Sequence, residues 1–256
     1  METADGNKSL GRFTALVSGS TRGIGFEIAS RLLERGATVI LNGRHLECSV
    51  LDDLRSRNVP IQRAHYLAGD FSILSEVVAI RDKALSLAPA VQVLINNAGE
   101  ILDGEDIYSE SELVTERLIR VNLLSAVNAV KVFVPDMKAM KWGRIVNMSS
   151  IYGYCPAGPV ATYGAAKAAL ISLTRSLALD LAPSGITVNA ILPGTIDTAM
   201  TAAAGDSYVG SVVARTPVRR LGRPEEVAHA CDYLIDAGFV TGSELVVDGG
   251  LSLVGG

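Results

Sequence analysis

The sequence is poor in cysteine and has no excess of positive charge. Its three cysteines, Cys48, Cys155 and Cys231, are odd in number and widely spaced in 256 residues, which argues against a disulfide framework and a cysteine-based metal site. We therefore expect no metal and a reducing, cytoplasmic location. The formal net charge of −4 provides no general attraction to nucleic acid.

Long uninterrupted apolar runs are also missing. The stretch 123–134 is interrupted by Asn128 and Lys131 and is too short to span a bilayer. The first residues, METADGNKSLGR, are polar and lack the apolar core of a signal peptide, so we predict a flexible tail over residues 1–10. Hydrophobic residues make up 48% of the chain, which suits one large domain over 11–256 that contacts neither membrane nor nucleic acid.

What the sequence does contain is an alternation of short, β-branched apolar runs with longer helical patterns. This alternation predicts a doubly wound α/β domain with a parallel, seven-stranded sheet, a Rossmann fold, because parallel neighbours need crossover helices. Strands are predicted at 13–19, 37–42, 62–69, 91–96, 143–149, 186–192 and 243–248. Helices are predicted at 24–35, 46–57, 73–88, 111–140, 162–182 and 224–235. The chemistry-bearing motifs follow strand ends, which places one site along one edge of the sheet.

Two small-residue motifs follow predicted strands. The first reads Ser18-Gly19-Ser20-Thr21-Arg22-Gly23-Ile24-Gly25, and the second reads Asn96-Asn97-Ala98-Gly99. Glycines permit positive φ and the close approach of a diphosphate, and a helix N-terminus adds partial positive charge. Together the motifs predict a dinucleotide site, whereas each taken alone is also compatible with a simple tight turn.

Tyr163 and Lys167 are four residues apart in a predicted helix and therefore share one face. A lysine charge about 5 Å from the phenol favours phenolate by roughly 3 kcal/mol, which predicts a Tyr163 pKa lowered from about 10 toward about 8. Such a phenol can exchange protons near neutral pH. Ser150, at the end of the fifth strand, can hydrogen-bond a substrate oxygen, whereas Ser149 is expected to cap a turn.

Together these motifs resemble the single-domain branch of the short-chain dehydrogenases/reductases over roughly residues 10–256. The likeness extends to 3-oxoacyl-carrier-protein reductases and small-ketone reductases. The matching pieces are SGSTRGIG, Asp70, NNAG, Asn122, Ser150, YGAAK, PGTIDT (193–198) and VDGG (247–250). Ser18 stands where the family usually has threonine, and the hydroxyl is retained.

The resemblance implies an oxidoreductase that passes hydride between a nicotinamide and a carbonyl or secondary alcohol. Tyr163 would be the proton donor or acceptor, and Ser150 would orient the carbonyl. Lys167 would hold the nicotinamide ribose, and Asn122 would bend its helix and hold a water that relays protons. The cofactor supplies the redox chemistry, and the protein supplies geometry and field.

The resemblance also implies a set of cofactor-binding residues. Asp70 would accept a hydrogen bond from the adenine amino group, and Ile196 and Thr198 would bind the nicotinamide carboxamide. The full set is Gly19, Ser20, Thr21, Arg22, Gly23, Ile24, Gly25, Arg44, Asp70, Phe71, Asn97, Ala98, Gly99, Tyr163, Lys167, Pro193, Gly194, Ile196 and Thr198.

The segment after the second predicted strand favours NADP(H) over NAD(H). NAD enzymes of this fold usually place an acid there, but this chain reads Leu-Asn-Gly-Arg-His, with no acid before Glu47. Arg44 offers a planar fork for a 2′-phosphate, and Arg22 can approach the same group from the glycine motif. Arg22 occurs with both cofactors in the family, and Arg44 has the alternative of a solvated loop residue.

The substrate is predicted to be a small carbonyl or alcohol held by Ser150, Tyr152, Tyr154 and Cys155. Glu100 and Ile101 are expected to line the same pocket, and the small-residue-rich segment 199–215 is predicted to be a mobile lid. Family members that use carrier proteins tend to have basic residues beside the cleft. Here Lys141 fits that pattern and Ser184 does not, which weakens the carrier-protein reading.

Other readings of the sequence remain open at this point. A cofactor-binding module that has lost catalysis and acts as a regulator needs only the glycine-rich half, so the intact Ser150, Tyr163 and Lys167 argue against it. A purely structural dimer unit explains none of the motifs. Apolar positions beyond one stripe on helices 111–140 and 162–182 predict self-association, as a homodimer or homotetramer.

Overall fold

Seven short apolar strands pair in one parallel sheet, in the order β3-β2-β1-β4-β5-β6-β7. The strands are β1 (Thr14–Val17), β2 (Thr38–Gly43), β3 (Ala64–Ala68), β4 (Val93–Asn96), β5 (Gly143–Met148), β6 (Ile186–Pro193) and β7 (Glu244–Val247). Strands β1, β4, β5 and β6 are buried along their whole length, as expected where helices cover both faces. All seven predicted strands and the predicted fold class are confirmed.

The computed structural model describes residues 13–46, 49–102, 106–155 and 158–254. The predicted flexible tail, 1–10, lies outside the described residues, as do Glu47 and Cys48.

Nine helices flank the sheet in the described part of the chain. They are α1 (Gly23–Glu34), α2 (Val50–Ser56), α3 (Leu74–Leu87), α4 (Glu112–Ile119), α5 (Ser125–Met140), α6 (Ala161–Leu181), α7 (Ala199–Ala202), α8 (Asp206–Arg215) and α9 (Pro224–Asp236). Helices α1, α2 and α9 bury apolar side chains on one face of the sheet, and α3, α5 and α6 do so on the other. This two-sided covering is why the central strands are mostly apolar.

The direction of winding reverses at β1. Strand β1 pairs with β2 on one side and with β4 on the other, so the loops that leave β1 and β4 diverge to opposite faces of the sheet. In doubly wound sheets this divergence opens a crevice beyond the carboxyl ends of the strands, where ligands bind. The glycine motif leaves β1 there, and the Asn-Asn-Ala-Gly motif leaves β4.

The predicted helix 111–140 is interrupted by a π turn over Arg120–Leu124, between α4 and α5. The continuous unit Glu112–Met140 is, by length and composition, apolar enough to cross a membrane, which corrects the expectation that no segment is. Phe133 and Met137 of α5 are buried in the core beneath the sheet. A core helix passes the same test, so length and composition are weak grounds for a membrane span.

The segment 199–215, predicted to be a mobile lid, contains helices α7 and α8. The Thr198 hydroxyl caps α7, Gly205 (φ +86°) separates the two helices, and Val212 anchors α8 in a small apolar cluster. The alanines of this segment have high helix propensity, which favours these helices.

Candidate functional site

The turn from β1 into α1 requires glycine at three positions. Gly19 (φ +62°) and Gly23 (φ +58°) adopt left-handed conformations that L side chains rarely adopt. A Cβ atom on Gly25 would lie 2.4 Å from Asn97 Nδ2 and 2.6 Å from the Gly19 carbonyl oxygen. The turn is therefore a bare backbone cradle that leads into the N-terminus of α1, where the first N–H groups have no intrahelical partner.

The cradle is braced by the motif after β4. Ser18 Oγ accepts hydrogen bonds from the N–H groups of Asn97 (3.1 Å) and Ala98 (3.0 Å). In return, Asn97 Nδ2 donates to the carbonyl oxygens of Ser18 (3.0 Å) and Gly19 (2.9 Å). The Asn97 amide, expected to be a polar anchor for cofactor, thus holds the glycine turn in shape.

Asn42, at the end of β2, belongs to this site and was missed in the sequence. Its amide nitrogen donates to the carbonyl oxygens of Leu67 and Gly69, both at 3.0 Å, and its backbone exchanges hydrogen bonds with Ser20 (2.9 Å each). The side chain is buried and ties the ends of β1, β2 and β3 together. An asparagine within an otherwise apolar strand is the signal that could have revealed it, since strands are depleted in this residue.

An open cavity of about 360 Å³ lies beyond the ends of β2 and β3. Its lining combines the predicted Arg44 and Asp70 with residues from the helix opposite, which the sequence did not indicate. The lining residues are Arg44, Asp70, Ser72, Leu113, Glu116, Arg117, Arg120 and Val121. Asp70 Oδ1 accepts the Ser72 N–H (2.8 Å), so one carboxylate oxygen already has a partner. The Phe71 side chain is buried in the core, which leaves its backbone as the part that can face a ligand.

The two predicted phosphate ligands are solvent-exposed. Arg22 is the N-cap residue of α1, and Arg44 follows β2. Neither guanidinium forms an ion pair with a carboxylate within the described ranges. Both are therefore available to an anion at this edge of the sheet.

The π turn places Asn122 beneath the loop that follows β4. Asn122 Nδ2 donates to the carbonyl oxygens of Glu100 (2.8 Å) and Leu118 (3.0 Å), and its Oδ1 accepts the Glu100 N–H (3.2 Å). Glu100 in turn forms a two-point ion pair with Arg117 of α4. A π turn lies where a local bend at Asn122 was expected, and the Asn122 side chain positions Glu100.

Gly99 brings the Asn122 and Lys167 side chains together. A Cβ on Gly99 would lie 2.9 Å from Asn122 Oδ1 and 3.2 Å from Lys167 Nζ. Lys167 is buried, its Nζ donates to the Met148 carbonyl oxygen (2.9 Å) and lies 5.5 Å from the centre of the Tyr163 ring. Lys167 and Tyr163, which the sequence predicted to share one helix face, therefore lie side by side near the end of β5.

Ser150 faces Tyr163 and also caps a short 3₁₀ turn, Ile151–Gly153. Its hydroxyl accepts the Tyr152 N–H (3.2 Å), and its interaction with the Tyr163 phenol acts to lower the pKa of that phenol. Ser149, expected to be the capping serine, instead donates to the Lys167 carbonyl oxygen (2.9 Å). The expectation for Ser149 was wrong, because an extended strand end turns alternate side chains to opposite sides.

The expected lowering of the Tyr163 pKa is also wrong for the protein itself. Burial raises the pKa of Tyr163 to about 12, against a smaller lowering by the hydrogen bond from Ser150. Burial lowers the pKa of Lys167 to about 8. The prediction from the sequence considered the charge of Lys167 but not desolvation. Desolvation opposes ionisation of both the Tyr163 phenol and the Lys167 amine.

Of the residues predicted to hold substrate, Tyr152 packs against Tyr163 and two others do not. The Tyr152 and Tyr163 rings are 6.4 Å apart in an edge-to-face arrangement. Tyr154 is 65% exposed, and Cys155 Sγ faces the Ser252 carbonyl oxygen at 3.9 Å. The structure brings Tyr154 and Cys155 into no contact with Tyr163 among the interactions of the described residues.

The segment after β6 approaches the glycine cradle. A Cβ on Gly23 would lie 3.4 Å from the Thr198 methyl group, so the glycine motif and the segment after β6 are adjacent. A Cβ on Gly194 would meet Asp248 at 2.8 Å, which explains the glycine after Pro193. The buried Ile196 uses its carbonyl oxygen to accept the Thr201 hydroxyl (2.6 Å).

Lys141 and Ser184 are not beside this site. They lie in neighbouring turns just before β5 and β6, because a Cβ on Gly185 would be 2.3 Å from the Lys141 carbonyl oxygen. The starts of parallel strands form the opposite edge of the sheet. Within one chain, these two positions therefore do not flank the cleft, which corrects the sequence-based expectation.

Gly25→Ala is expected to damage the cradle. The added methyl group would overlap the Asn97 amide and the Gly19 backbone, so the turn must shift; we expect at least a tenfold weaker affinity for NADPH and a loss of about 1–3 kcal/mol in stability. Isothermal titration calorimetry and thermal unfolding measure both effects. Gly210→Ala is the control, because no atom lies within 4 Å of its Cβ and it sits in helix α8. Equal affinities for both variants would contradict the assignment of this turn.

Comparison with known proteins identifies relatives that match nearly the whole chain. A family model described as enoyl-(acyl carrier protein) reductase matches residues 19–252. The cis-4-hydroxycyclohexanecarboxylate dehydrogenase of Sinomonas cyclohexanicum is 36% identical over 243 residues, covering 94% of this chain and 96% of that protein.

Two solved structures show the same fold with a nicotinamide cofactor. The gluconate 5-dehydrogenase of Burkholderia cenocepacia J2315, in complex with NADP and tartrate, is 30% identical with a TM-score of 0.87, over 94% of this chain and 95% of that one. A 3-oxoacyl-[acyl-carrier protein] reductase from Brucella melitensis with bound NAD is 33% identical with a TM-score of 0.84, over 94% and 91% of the two chains. In the described part of this chain, no group of three or more His, Cys, Asp or Glu side chains is arranged to hold a metal ion.

Proposed function

The chain belongs to the short-chain dehydrogenase/reductase family of oxidoreductases, and from that premise we propose that it is an NADP(H)-dependent reductase of a small carbonyl compound, working reversibly on the corresponding secondary alcohol. The observation that carries this proposal is the cluster of Ser150, Tyr163 and Lys167 at the end of β5, beside the glycine cradle of α1. The relatives described above are named for a hydroxy acid, gluconate and a 3-oxoacyl group, so each name includes a hydroxyl or oxo carbon.

The cradle fits the diphosphate of a dinucleotide. Positive φ angles at Gly19 and Gly23, and a close approach at Gly25, keep side chains away from the helix N-terminus that would face the anion. We propose that the cavity beside Asp70 receives the adenine ring and that the segment from Pro193 to Thr198 contacts the nicotinamide. When bound, the nicotinamide supplies or accepts hydride.

The protein's own groups handle the carbonyl oxygen and the proton. Ser150 donates a hydrogen bond to the oxygen and stabilises the charge that develops on it. The Tyr163 phenol donates its proton to that oxygen, and its raised pKa keeps it protonated at neutral pH, which suits the direction of carbonyl reduction. Lys167 lies beneath the phenol and holds the ribose, and Asn122 keeps the Glu100 loop against this group.

The NADP(H) preference rests on Arg22 and Arg44 and on the absence of an acid between Asn42 and Arg44. Both arginines are exposed at the edge where the adenosine ribose would lie. Arg120, across the cavity from Arg44, adds a third cation to that end of the site. The solved relatives include both an NADP complex and an NAD complex, so the preference is a proposal about these side chains.

The decisive experiment measures NADPH oxidation over a panel of ketones, β-ketoesters, 3-oxoacyl thioesters and quinones. We expect turnover of at least one small carbonyl compound and its loss in Tyr163→Phe. A protein that binds NADPH but oxidises it with no carbonyl compound would instead be a silent cofactor-binding module. We favour an active enzyme because Ser150 and Lys167 both lie beside Tyr163.

Self-association follows from apolar surface on α5 and α6. Leu179 is 82% exposed on α6, and Leu124 is 37% exposed at the start of α5. An apolar surface of this kind on neighbouring helices indicates a buried interface. We propose a homodimer through these helices, or a homotetramer, in the cytoplasm.

Light scattering at micromolar concentration is expected to give two or four times the mass of one chain. Leu179→Arg is expected to lower that mass, because it introduces a charge into the proposed interface without changing a buried residue. Arg55→Gln on α2 serves as a control for altered surface charge. A monomeric wild-type protein would refute the proposal.

A further inference from the structure

Tyr152 connects the catalytic cluster to the proposed lid. One edge of its ring packs against Tyr163, with the ring centres 6.4 Å apart. Its hydroxyl lies 3.0 Å from the hydroxyl of Tyr208, in the first turns of α8. The two phenols thus form a polar pair beside the proposed proton donor, on a wall that is otherwise apolar.

Helix α8 presents one further side chain in the same direction. Tyr208, Val212 and Arg215 are spaced four and three residues apart, so they share one helix face. Val212 is fully buried against Ile151 and Leu192, which fixes that face toward the catalytic turn. Arg215 follows on the same side of the helix, about two turns from Tyr208, and is exposed to solvent.

Arg215 has no acidic partner among the residues that the structure describes. Arg219 likewise has none and donates to the Ala214 carbonyl oxygen, whereas Arg220 and Arg223 both pair with Glu226. The pKa of Tyr152 is raised chiefly by burial and next by the hydrogen bond to Tyr208, and the charge of Arg215 opposes this rise. Tyr152 consequently stays a neutral hydrogen-bond donor, with a guanidinium close enough to affect it.

The hydrogen-bond donors that Tyr152, Tyr208 and Arg215 can offer match an anion with a single charge. When two hydroxyls share one hydrogen bond, one proton is used and the other remains to be donated outward. That proton and the fork of a guanidinium match a carboxylate. A neutral thioester would leave the guanidinium without a charged partner, and a dianionic phosphate ordinarily recruits more than one cation.

We propose that Tyr152, Tyr208 and Arg215 form a carboxylate-binding subsite of the proposed active site, so that the substrate is a small oxo acid or the corresponding hydroxy acid. The inference rests on the proposed function, because the subsite is defined by its place beside Tyr163. The carboxylate and the reacting carbonyl belong to one compact molecule, since Tyr152 of the subsite packs directly against the phenol that donates the proton.

Matched substrates test the subsite. The rates with 4-oxocyclohexanecarboxylate and with its methyl ester are compared in wild type, Arg215→Gln, Arg215→Lys and Tyr208→Phe. We expect Arg215→Gln to raise KM for the acid at least about tenfold, to change kcat less than about twofold, and to leave the ester unaffected. Arg215→Lys is expected to restore part of the loss, and Arg55→Gln to behave as wild type, since it removes a remote charge on α2.

A binding measurement separates this inference from the proposed reaction. Cyclohexanecarboxylate has no carbonyl to reduce, and we expect calorimetry to show binding that weakens at least about tenfold in Arg215→Gln. If the acid and ester lose activity equally, or if neither changes, the subsite is refuted while the proposed reaction stands. If cyclohexanecarboxylate binds through Arg215 but no carbonyl compound oxidises NADPH, the anion site stands and the proposed reaction fails.

Discussion

Tyr163→Phe is expected to abolish turnover while NADPH binding is retained. The substitution removes one oxygen, the group proposed to donate the proton, and leaves the ring in its contacts with Tyr152 and Lys167. Loss of a positioned proton donor costs roughly 10²- to 10⁴-fold in kcat. Steady-state kinetics measures the loss, and fluorescence titration with NADPH measures the binding.

Tyr233→Phe is the matched control for this substitution. Tyr233 is half exposed on α9, on the sheet face away from Ser150, and the same oxygen is removed there. We expect it to keep wild-type kinetics. If Tyr163→Phe keeps more than about a tenth of the activity on a good substrate, Tyr163 is not the proton donor.

Arg44→Asp is expected to reverse the cofactor preference. Each charge-assisted hydrogen bond to a 2′-phosphate contributes about 1.5–3 kcal/mol, so the contacts of Arg22 and Arg44 together favour NADPH by about 10²- to 10⁴-fold. The substitution removes one contact and places a carboxylate at the end of β2, where it repels the phosphate and can accept ribose hydroxyls. The ratio of kcat/KM for NADPH and NADH is the measurement.

Arg63→Asp controls for the change in charge, because Arg63 is exposed before the start of β3, at the opposite edge of the sheet. Its cofactor ratio is expected to match that of wild type. A wild-type protein that prefers NADH, or an Arg44→Asp ratio equal to that of the control, would contradict the proposal.

The fold was predictable because its elements are short and strongly patterned. The strands are mostly apolar runs with single polar residues such as Asn42 and Asn147, and the motifs that bear chemistry lie at the carboxyl ends of those runs. Knowing that parallel strands end at one edge is enough to bring Gly19, Asn97, Ser150 and Thr198 together. The neighbourhood of Tyr163 and Lys167 follows from helical spacing alone.

The parts of the site that the sequence did not reveal depend on distances between elements. The hydrogen bonds of Asn42 are visible only once β3 lies beside β2. The cavity lining from α4 and from Arg120 of the π turn depends on how these segments lie over the sheet edge. The pKa of Tyr163 depends on desolvation by its packed surroundings, a quantity that spacing in the chain does not carry.

The π turn at Arg120–Leu124 changes the direction in which the side chains of α4 point relative to those of α5. A π turn accommodates one additional residue, and each residue turns an α-helix by about 100°. Helix α4 can therefore direct Arg117 toward the nucleotide end, and the turn can bury Asn122 beneath Glu100, while Phe133 and Met137 of α5 still face the core. An uninterrupted α-helix of the same sequence would have to give up one of these orientations. The additional residue therefore rotates α4, which faces the nucleotide end, relative to α5, which packs in the core. The number of residues in this turn determines where the side chains on either side of it point, as much as the identity of those side chains does.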